Sequence, residues 1–297
     1  MSKGIIEVGA MKKTVIRLSG GLGNQMFQYA LGRQLEKEDV NVTYDTFIYW
    51  RDKLRKYELN HFHTDVRLAS GVRKCFYLCC YYMERKLKMR MMVTKLLGEH
   101  HEKSLFGYED NLIQYRYLDG YWQNTKYFCN MKAQLQQDFV WKGRFNDTQE
   151  KIMRDMQGRE SVMIHIRRGD YLKPSNAEMY VVQDQDYYER AMHLMTEHVK
   201  EPQWYVFSDD IAWCKTLTCF QTNVTFVDSS ISDSMYVDFE LMKQCRHFII
   251  GNSTFSWWAA WLAVNEKKVM MAPEKWYYDE KLNVSVQKAL LREFMLV

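Results

Sequence analysis

Two adjacent arginines, a glycine and an aspartate close an apolar run in the stretch Val162-Met163-Ile164-His165-Ile166-Arg167-Arg168-Gly169-Asp170-Tyr171. A guanidinium keeps its charge at any working pH and matches phosphate oxygens in a bidentate fork, so Arg167 and Arg168 point to a phosphate-bearing ligand. The run before them, interrupted only by His165, suits a central parallel strand. Polar groups at the C-terminal end of such a strand face the crevice where open α/β sheets bind ligands. Taken alone, an exposed arginine pair salt-bridged to Asp170 accounts for the tetrad better, and the surrounding chain has to overturn that reading.

The chain after Gly158 supplies the context. A helix is predicted near 186–199, with Tyr188, Ala191, Met192, Met195 and Val199 on one stripe. A strand at 204–208 ends in Asp209-Asp210, and a short strand at 224–227 ends in Asp228. A helix near 233–245 turns Met235, Phe239, Met242 and Cys245 inward. A strand at 247–250 then ends in Gly251-Asn252-Ser253-Thr254, followed by an apolar helix at 255–264 and a last strand at 268–272. Strands separated by helices of roughly 10–15 residues indicate a parallel, doubly wound sheet. The topology then lines up the Arg167 cluster, Asp209-Asp210, Asp228 and Asn252-Ser253-Thr254 along one sheet edge. Ser253 and Thr254 either hold a phosphate at the N-terminus of the apolar helix or cap that helix. Asp209 or Asp210 is placed to accept bonds from a ribose or a base. Residues 156–297 therefore read as a nucleotide-binding domain.

Residues 1–155 read as a second α/β domain. Thr14 to Ser19 is a predicted strand, Gly20-Gly21-Leu22-Gly23 breaks it, and a helix from about Asn24 to Glu38 buries Met26, Phe27, Ala30, Leu31 and Leu35. A strand at Val40 to Thr46 completes a βαβ unit. The glycine turn places backbone N–H groups at a helix start, where an anion is welcome, although a plain tight turn explains Gly-Gly-x-Gly equally well. It is neither a P-loop nor a full dinucleotide fingerprint. From Gly71 to about Leu97 the pattern is helical, with Phe76, Cys79, Cys80, Met83, Leu87 and Met91 as a core stripe. That span carries seven Lys or Arg against Glu84, which fits either a solvated basic face or a helix lying on anionic lipid. Leu118 to Phe128 is dense in aromatics, as sugar-stacking loops are and as loops packed on their own rings are. Asp184-Gln185-Asp186 has the spacing of a metal-binding pair in sugar-nucleotide transferases, but at a helix start Asp186 reads as an N-cap.

The bulk properties exclude other classes. With 297 residues, each half is large enough to bury its own core, and 47% hydrophobic against 26% charged residues is globular. A net charge of +4 allows acidic ligands but is far from a nucleic-acid binder's basic stripe. Seven cysteines, an odd number, read as reduced, buried thiols, and Cys75, Cys79 and Cys80 lack a second ligand pair for zinc. The first thirteen residues hold no signal-peptide core, and Phe255 to Val264 is about half a membrane span. The expected location is cytoplasmic; the lipid alternative for the basic helix, the less common of the two, would place the protein peripherally on the inner membrane face.

These motifs together resemble the α-1,2-fucosyltransferases of bacterial type. The resemblance runs through Gly20-Gly21-Leu22-Gly23-Asn24-Gln25-Met26-Phe27-Gln28-Tyr29, Gly120-Tyr121-Trp122-Gln123, and His165 to Tyr171. It continues through Phe207-Ser208-Asp209-Asp210 and Asn252-Ser253-Thr254-Phe255-Ser256-Trp257-Trp258. It implies two facing Rossmann-like domains in the GT-B arrangement, GDP-β-L-fucose as donor, inverting transfer to the 2-hydroxyl of a terminal galactose, and no metal or other cofactor. It also implies that Arg167 holds the β-phosphate, with Ser253, Thr254 and Ser256 as the rest of that site. His165 and Asp209 or Asp210 would meet guanosine, with Arg168, Asn252 and the glycines Gly20, Gly21 and Gly23 also on the donor side. Asn24 would approach the fucose and acceptor. Asp170 is either the base for the acceptor hydroxyl or a brace for Arg168. The rivals are a metal-dependent transferase of another sugar nucleotide and a carbohydrate- or nucleotide-binding protein without turnover.

Overall fold

A computed structural model describes residues 12–297, which divide into two compact units. The leader up to Met11, read above for targeting signals, lies outside the described residues. The first unit comprises the described residues up to Glu58 with Asp65–Trp122, and the second comprises Leu59–Thr64 with Gln123–Val297. The boundary thus falls near 122 rather than 155. The helices α4 (Lys132–Asp138) and α5 (Asp147–Gly158) join the second unit through specific bonds. From α4, Gln136 Nε2 donates to the Leu262 carbonyl at 2.8 Å, and from α5, Gln157 Nε2 donates to Gln244 Oε1 at 2.7 Å.

In the first unit, β1 (Lys12–Arg17), α1 (Leu22–Lys37) and β2 (Val40–Asp45) form the expected βαβ unit, with β1 and β2 parallel. β1 starts and stops two residues earlier than predicted, and past its end the Ser19 N–H turns aside to Gln28 Oε1 at 2.9 Å. The apolar face of α1 is buried at every predicted position: Met26, Phe27, Ala30, Leu31 and Leu35. Next come α2 (Gly71–Leu87), α3 (Arg90–Leu97), β3 (Glu99–His101) and β4 (Tyr117–Asp119), and the all-parallel sheet runs β2-β1-β4-β3.

The predicted single helix over 71–97 breaks at Lys88, whose left-handed backbone (φ 54°) ends α2. Its core stripe is also reassigned. Of the predicted positions Cys80 is buried and Met83 packs against the core, joined by Tyr77, Val93 and Leu97, whereas Phe76, Cys79, Leu87 and Met91 are exposed.

The second unit contains β5 (Ser161–Ile166), α6 (Pro174–Ala177), α7 (Gln185–His198), β6 (Gln203–Ser208), α8 (Ile211–Cys214) and β7 (Val224–Phe226). It continues with α9 (Met235–Gln244), β8 (His247–Ile249), α10 (Thr254–Leu262), β9 (Met270–Ala272), α11 (Glu280–Leu290) and β10 (Met295–Leu296). Six parallel strands lie in the order β10-β9-β8-β5-β6-β7. Counted from β5 as the first strand, this is the 3-2-1-4-5-6 order of dinucleotide-binding sheets, and it reverses direction between β5 and β8.

Alternation along β5 sends Val162, Ile164 and Ile166 into a core with Tyr188, Ala191 and Met195 of α7. On α10, Trp257 and Trp258 are fully buried, and Phe128 stacks on Trp258 with ring centroids 5.2 Å apart. Each such ring contributes about 1.5–3 kcal/mol by leaving water. The aromatic stretch after β4 is therefore mostly packing: Trp122, Tyr127 and Phe128 are buried, while Tyr121 is exposed. The separate segment Leu59–Thr64 fills a gap in this unit, with Phe62 fully buried edge-on to Phe139 and Phe239. The seven cysteines are all free thiols, but Cys75, Cys79 and Cys129 are exposed, contrary to the expectation of uniformly buried thiols.

Candidate active site

The second unit brings the predicted cluster together at its switch point. β5 is central, so Arg167 and Arg168 leave the sheet between the ends of β8 and β6. Arg167 is gripped on two sides: Nη2 donates to Asp170 Oδ1 at 2.5 Å, and Nη1 lies 2.8 Å from Asp209 Oδ2. Asp170 therefore braces Arg167, not Arg168. The 3-10 turn Gly169–Leu172 aims it back, and Asn176 Nδ2 donates to its carbonyl at 2.8 Å.

Arg168 is held elsewhere. Its guanidinium carbon sits 3.7 Å from the centroid of the Trp213 ring, its Nε is 3.4 Å from Asp210 Oδ2, and its N–H donates to Asp209 Oδ1 at 3.0 Å. Stacked on an indole and paired, Arg168 fixes the strand end and leaves Arg167 as the cation at the switch point. The aspartate pair divides its work in the same way. Asp209 holds Arg167, while Asp210 caps α8 by accepting from the Trp213 N–H at 3.0 Å.

His165 is buried against Phe255 with Nδ1 lacking a hydrogen-bond partner. Burial, reinforced by the nearby Arg167 charge, lowers its pKa to about 3, so the imidazole is neutral throughout the physiological range. It can serve as a neutral donor or acceptor but not as a cation.

At the end of β8, close approach requires Gly251, where a Cβ would stand 3.1 Å from the His165 carbonyl oxygen. Asn252 is a structural tie, its Nδ2 donating to the Val181 and Trp276 carbonyls at 2.8 and 2.9 Å. Its carbonyl accepts from the Tyr171 hydroxyl at 2.8 Å, which joins the β8 loop to the Arg167 turn. Ser253 stands at the N-cap of α10 but makes no side-chain capping bond. The capping alternative therefore does not account for its hydroxyl. Thr254 follows as the first residue of the helix. Ser256 is fully buried and donates to the Ser253 carbonyl at 3.3 Å, so it shapes the helix start from inside instead of lining the predicted phosphate site. The predicted cap at Asp186 belongs to Asp184, which accepts from the Tyr187 N–H at 3.1 Å.

The first unit carries the glycine turn. Gly20 has φ +76°, a conformation that favours glycine, and an added Cβ there would collide with Asn24. Gly21 is the N-cap of α1, Gly23 is buried inside it, and Asn24 is half-buried in its first turn. The two glutamines of the same motif are buried anchors. Gln25 Nε2 donates to the carbonyls of Gly20 and Lys56, and Gln28 Nε2 donates to the Gly120 carbonyl at 2.8 Å. Gln25 and Gln28 of the motif thus pin the chain that follows β1 and β4.

That edge also holds groups the sequence did not reveal. All four strands end in an ionisable residue: Arg17, Asp45, His101 and Asp119. Arg17 Nη1 donates to Asp119 at 2.6 Å and its Nε donates to the Tyr117 hydroxyl at 3.1 Å, which itself donates to Asp45 at 2.6 Å. Asp119 lies 3.1 Å from His101 Nδ1. The pull of Asp119, then of Glu99, raises the His101 pKa to about 10. Glu102 accepts from the Tyr121 and Trp122 N–H groups at 2.8 and 3.1 Å, and burial raises its pKa to about 7. The signal available was a charged residue closing each short strand, which is invisible where β3 and β4 are only three residues long.

Among the described residues, Glu84, Glu99 and His101 have ligand atoms within 4.8 Å of one another. The cluster carries its own cations, however. Arg17 stands 3.8 Å from Glu99, Arg90 stands 3.5 Å from Glu84, and His101 is protonated at neutral pH. It reads as a buried ion network more naturally than as a metal seat.

A doubly wound sheet with a cation held at its switch point, beside an uncapped serine at a helix start, defines a Rossmann-type ligand-binding unit suited to a phosphorylated ligand. The chain belongs to glycosyl transferase family 11, whose sequence profile it matches over residues 7–296. It is 30% identical to an alpha-1,2-colitosyltransferase of Escherichia coli over 92% of this chain and 95% of that protein. It is equally 30% identical to the O-antigen biosynthesis glycosyltransferase WbnK of the same organism, over 88% of this chain and 93% of the relative. A mouse galactoside 2-alpha-L-fucosyltransferase, Sec1, matches half of the chain and 44% of its own length at 29% identity. The protein is a glycosyltransferase of the fucosyltransferase type.

Proposed function

We propose that this enzyme moves L-fucose from GDP-β-L-fucose to the 2-hydroxyl of a terminal galactoside, with inversion and without a metal ion. The observation that carries the reading is Arg167, suspended between Asp170 and Asp209 where the second sheet reverses direction. An arginine so held is preorganised. Negative charge develops on the departing diphosphate as the fucose bond breaks, and a fixed fork meets it without reorganising at the moment of reaction. Ser253 and the N–H groups opening α10 complement that charge. Neutral His165 suits an uncharged guanosine edge. The resemblance to an alpha-1,2-colitosyltransferase over 92% of the chain supports the linkage.

The role of Asp170 follows from stereochemistry. An inverting displacement takes its base on the face opposite the leaving group, whereas Asp170 is bonded to the group proposed to bind the leaving diphosphate. It is a positioning residue for Arg167 and not the base.

Incubation with GDP-fucose and lactose, followed by mass and linkage analysis, tests the reading. A product carrying one added α-1,2-linked fucose supports it. Transfer only from a colitosyl donor in a parallel panel reassigns the donor, and activity lost to EDTA and regained with manganese overturns the metal-free chemistry.

A further inference from the structure

The helical hairpin α2–α3 has a second apolar face that the fold leaves in solvent. Its inner face is spent on Tyr77, Cys80, Val93 and Leu97. Outside, Val72, Phe76, Cys79 and Leu87 recur at i, i+4, i+7 and i+15, positions of one helical stripe, whereas Met83 at i+11 is half-buried against the core. Val72 is 83% exposed and Leu87 64%, and Met91 at the start of α3 is 87% exposed. Single exposed apolar residues are ordinary, but a contiguous stripe marks an interaction surface.

Charge indicates what covers it. Seven Lys or Arg against Glu84 give residues 71–97 a net +6, more than the whole chain's +4, so the remainder of the protein is net negative. Six of those seven cations are exposed, and Arg85, Lys86, Lys88 and Arg90 crowd the turn from which Leu87 and Met91 protrude. A second copy of this chain would set those cations against one another. A surface rich in anionic headgroups neutralises them while its acyl layer takes the apolar tip. No helix among the described residues is long and apolar enough to cross a membrane. We infer that α2–α3 lies on an anionic lipid surface, with Leu87 and Met91 inserted at the headgroup boundary and the flanking cations on phosphates.

Flotation of the full chain with phosphatidylcholine vesicles, with or without phosphatidylglycerol, tests this inference. The parent should float with anionic vesicles only and should be released at about 1 M salt, where the screening length falls to about 3 Å. Lys86→Glu/Lys88→Glu and Leu87→Glu/Met91→Glu, all at exposed positions, should each lower the bound fraction by about tenfold or more. Transfer to a water-soluble acceptor should be unchanged in both, which shows that they fold. Equal binding to neutral vesicles, no flotation, or variants that float like the parent would overturn the proposal. So would a dimer in solution that Met91→Glu dissociates, since the face would then belong to a second copy.

Discussion

Asp209 Oδ2 reaches Arg167 because Gly169 has no side chain: a Cβ there would stand 2.6 Å from that oxygen. Gly169→Ala should therefore swing Asp209 aside and loosen one of the two grips on Arg167. Because the displaced atom is the end of a side chain, stability should barely change. An arginine misplaced by about 1 Å can cost on the order of 10²-fold in rate. A kcat/KM for GDP-fucose equal to the parent's, at equal Tm, would show that the Asp209 contact is dispensable.

Arg167→Ala should lower the rate by about 10²–10³-fold, the usual effect of removing one preorganised donor to a developing anion. Arg167→Lys should recover little, since an ammonium cannot bond Asp170, Asp209 and a phosphate oxygen in one plane. Steady-state kinetics on variants with unchanged circular dichroism checks both, and a fully active lysine variant would remove the argument from fork geometry.

Asn252 lies in the motif expected to contact donor, yet its amide ties two backbone carbonyls. Asn252→Ala should leave the Val181 carbonyl without its side-chain donor, while the Trp276 carbonyl keeps the Val181 N–H at 3.1 Å, at a cost of about 1–3 kcal/mol. The loss should appear first in thermal unfolding. A variant with parental Tm and a raised KM for donor would instead make Asn252 a ligand contact.

How much of this was legible in sequence depended on strand length. β5, β6 and β8 are apolar with polar ends, and their parallel arrangement could be read from alternation with helices. β3, reading Glu-His-His, has no apolar pattern and owes its existence to pairing with β4, so the ion network at its end stayed hidden. The α2 stripe was misassigned for a different reason. Helical spacing identifies a face but not its direction, and here Phe76, Cys79, Leu87 and Met91 of the predicted stripe point outward while Cys80 and Met83 meet the core. Aspartate roles were equally ambiguous, since Asp184, Asp209 and Asp210 look alike in sequence but become a cap, a clamp and another cap.

His101 gives the first unit a pH dependence. Its folded pKa, about 10, lies above the ordinary value of 6.5, raised by Asp119 and then Glu99. The folded form holds its proton more tightly, so this contribution to stability is complete below about pH 6.5 and is lost as pH climbs toward 10. The Tm deficit of His101→Gln should thus be largest near pH 6 and shrink toward pH 10. A deficit that grows with pH would mean that His101 is neutral in the native state.

The segment Leu59–Thr64 has a consequence for dissecting the protein. Phe62 completes the aromatic packing of the second unit, yet it is encoded between two stretches of the first. A fragment beginning at Gln123 would lack that plug and expose Phe139 and Phe239, so no single cut yields two self-sufficient halves. During synthesis the plug emerges some sixty residues before the rest of its own unit begins. Supplying residues 59–64 as a separate peptide is then a way to ask whether the second unit can be completed in trans.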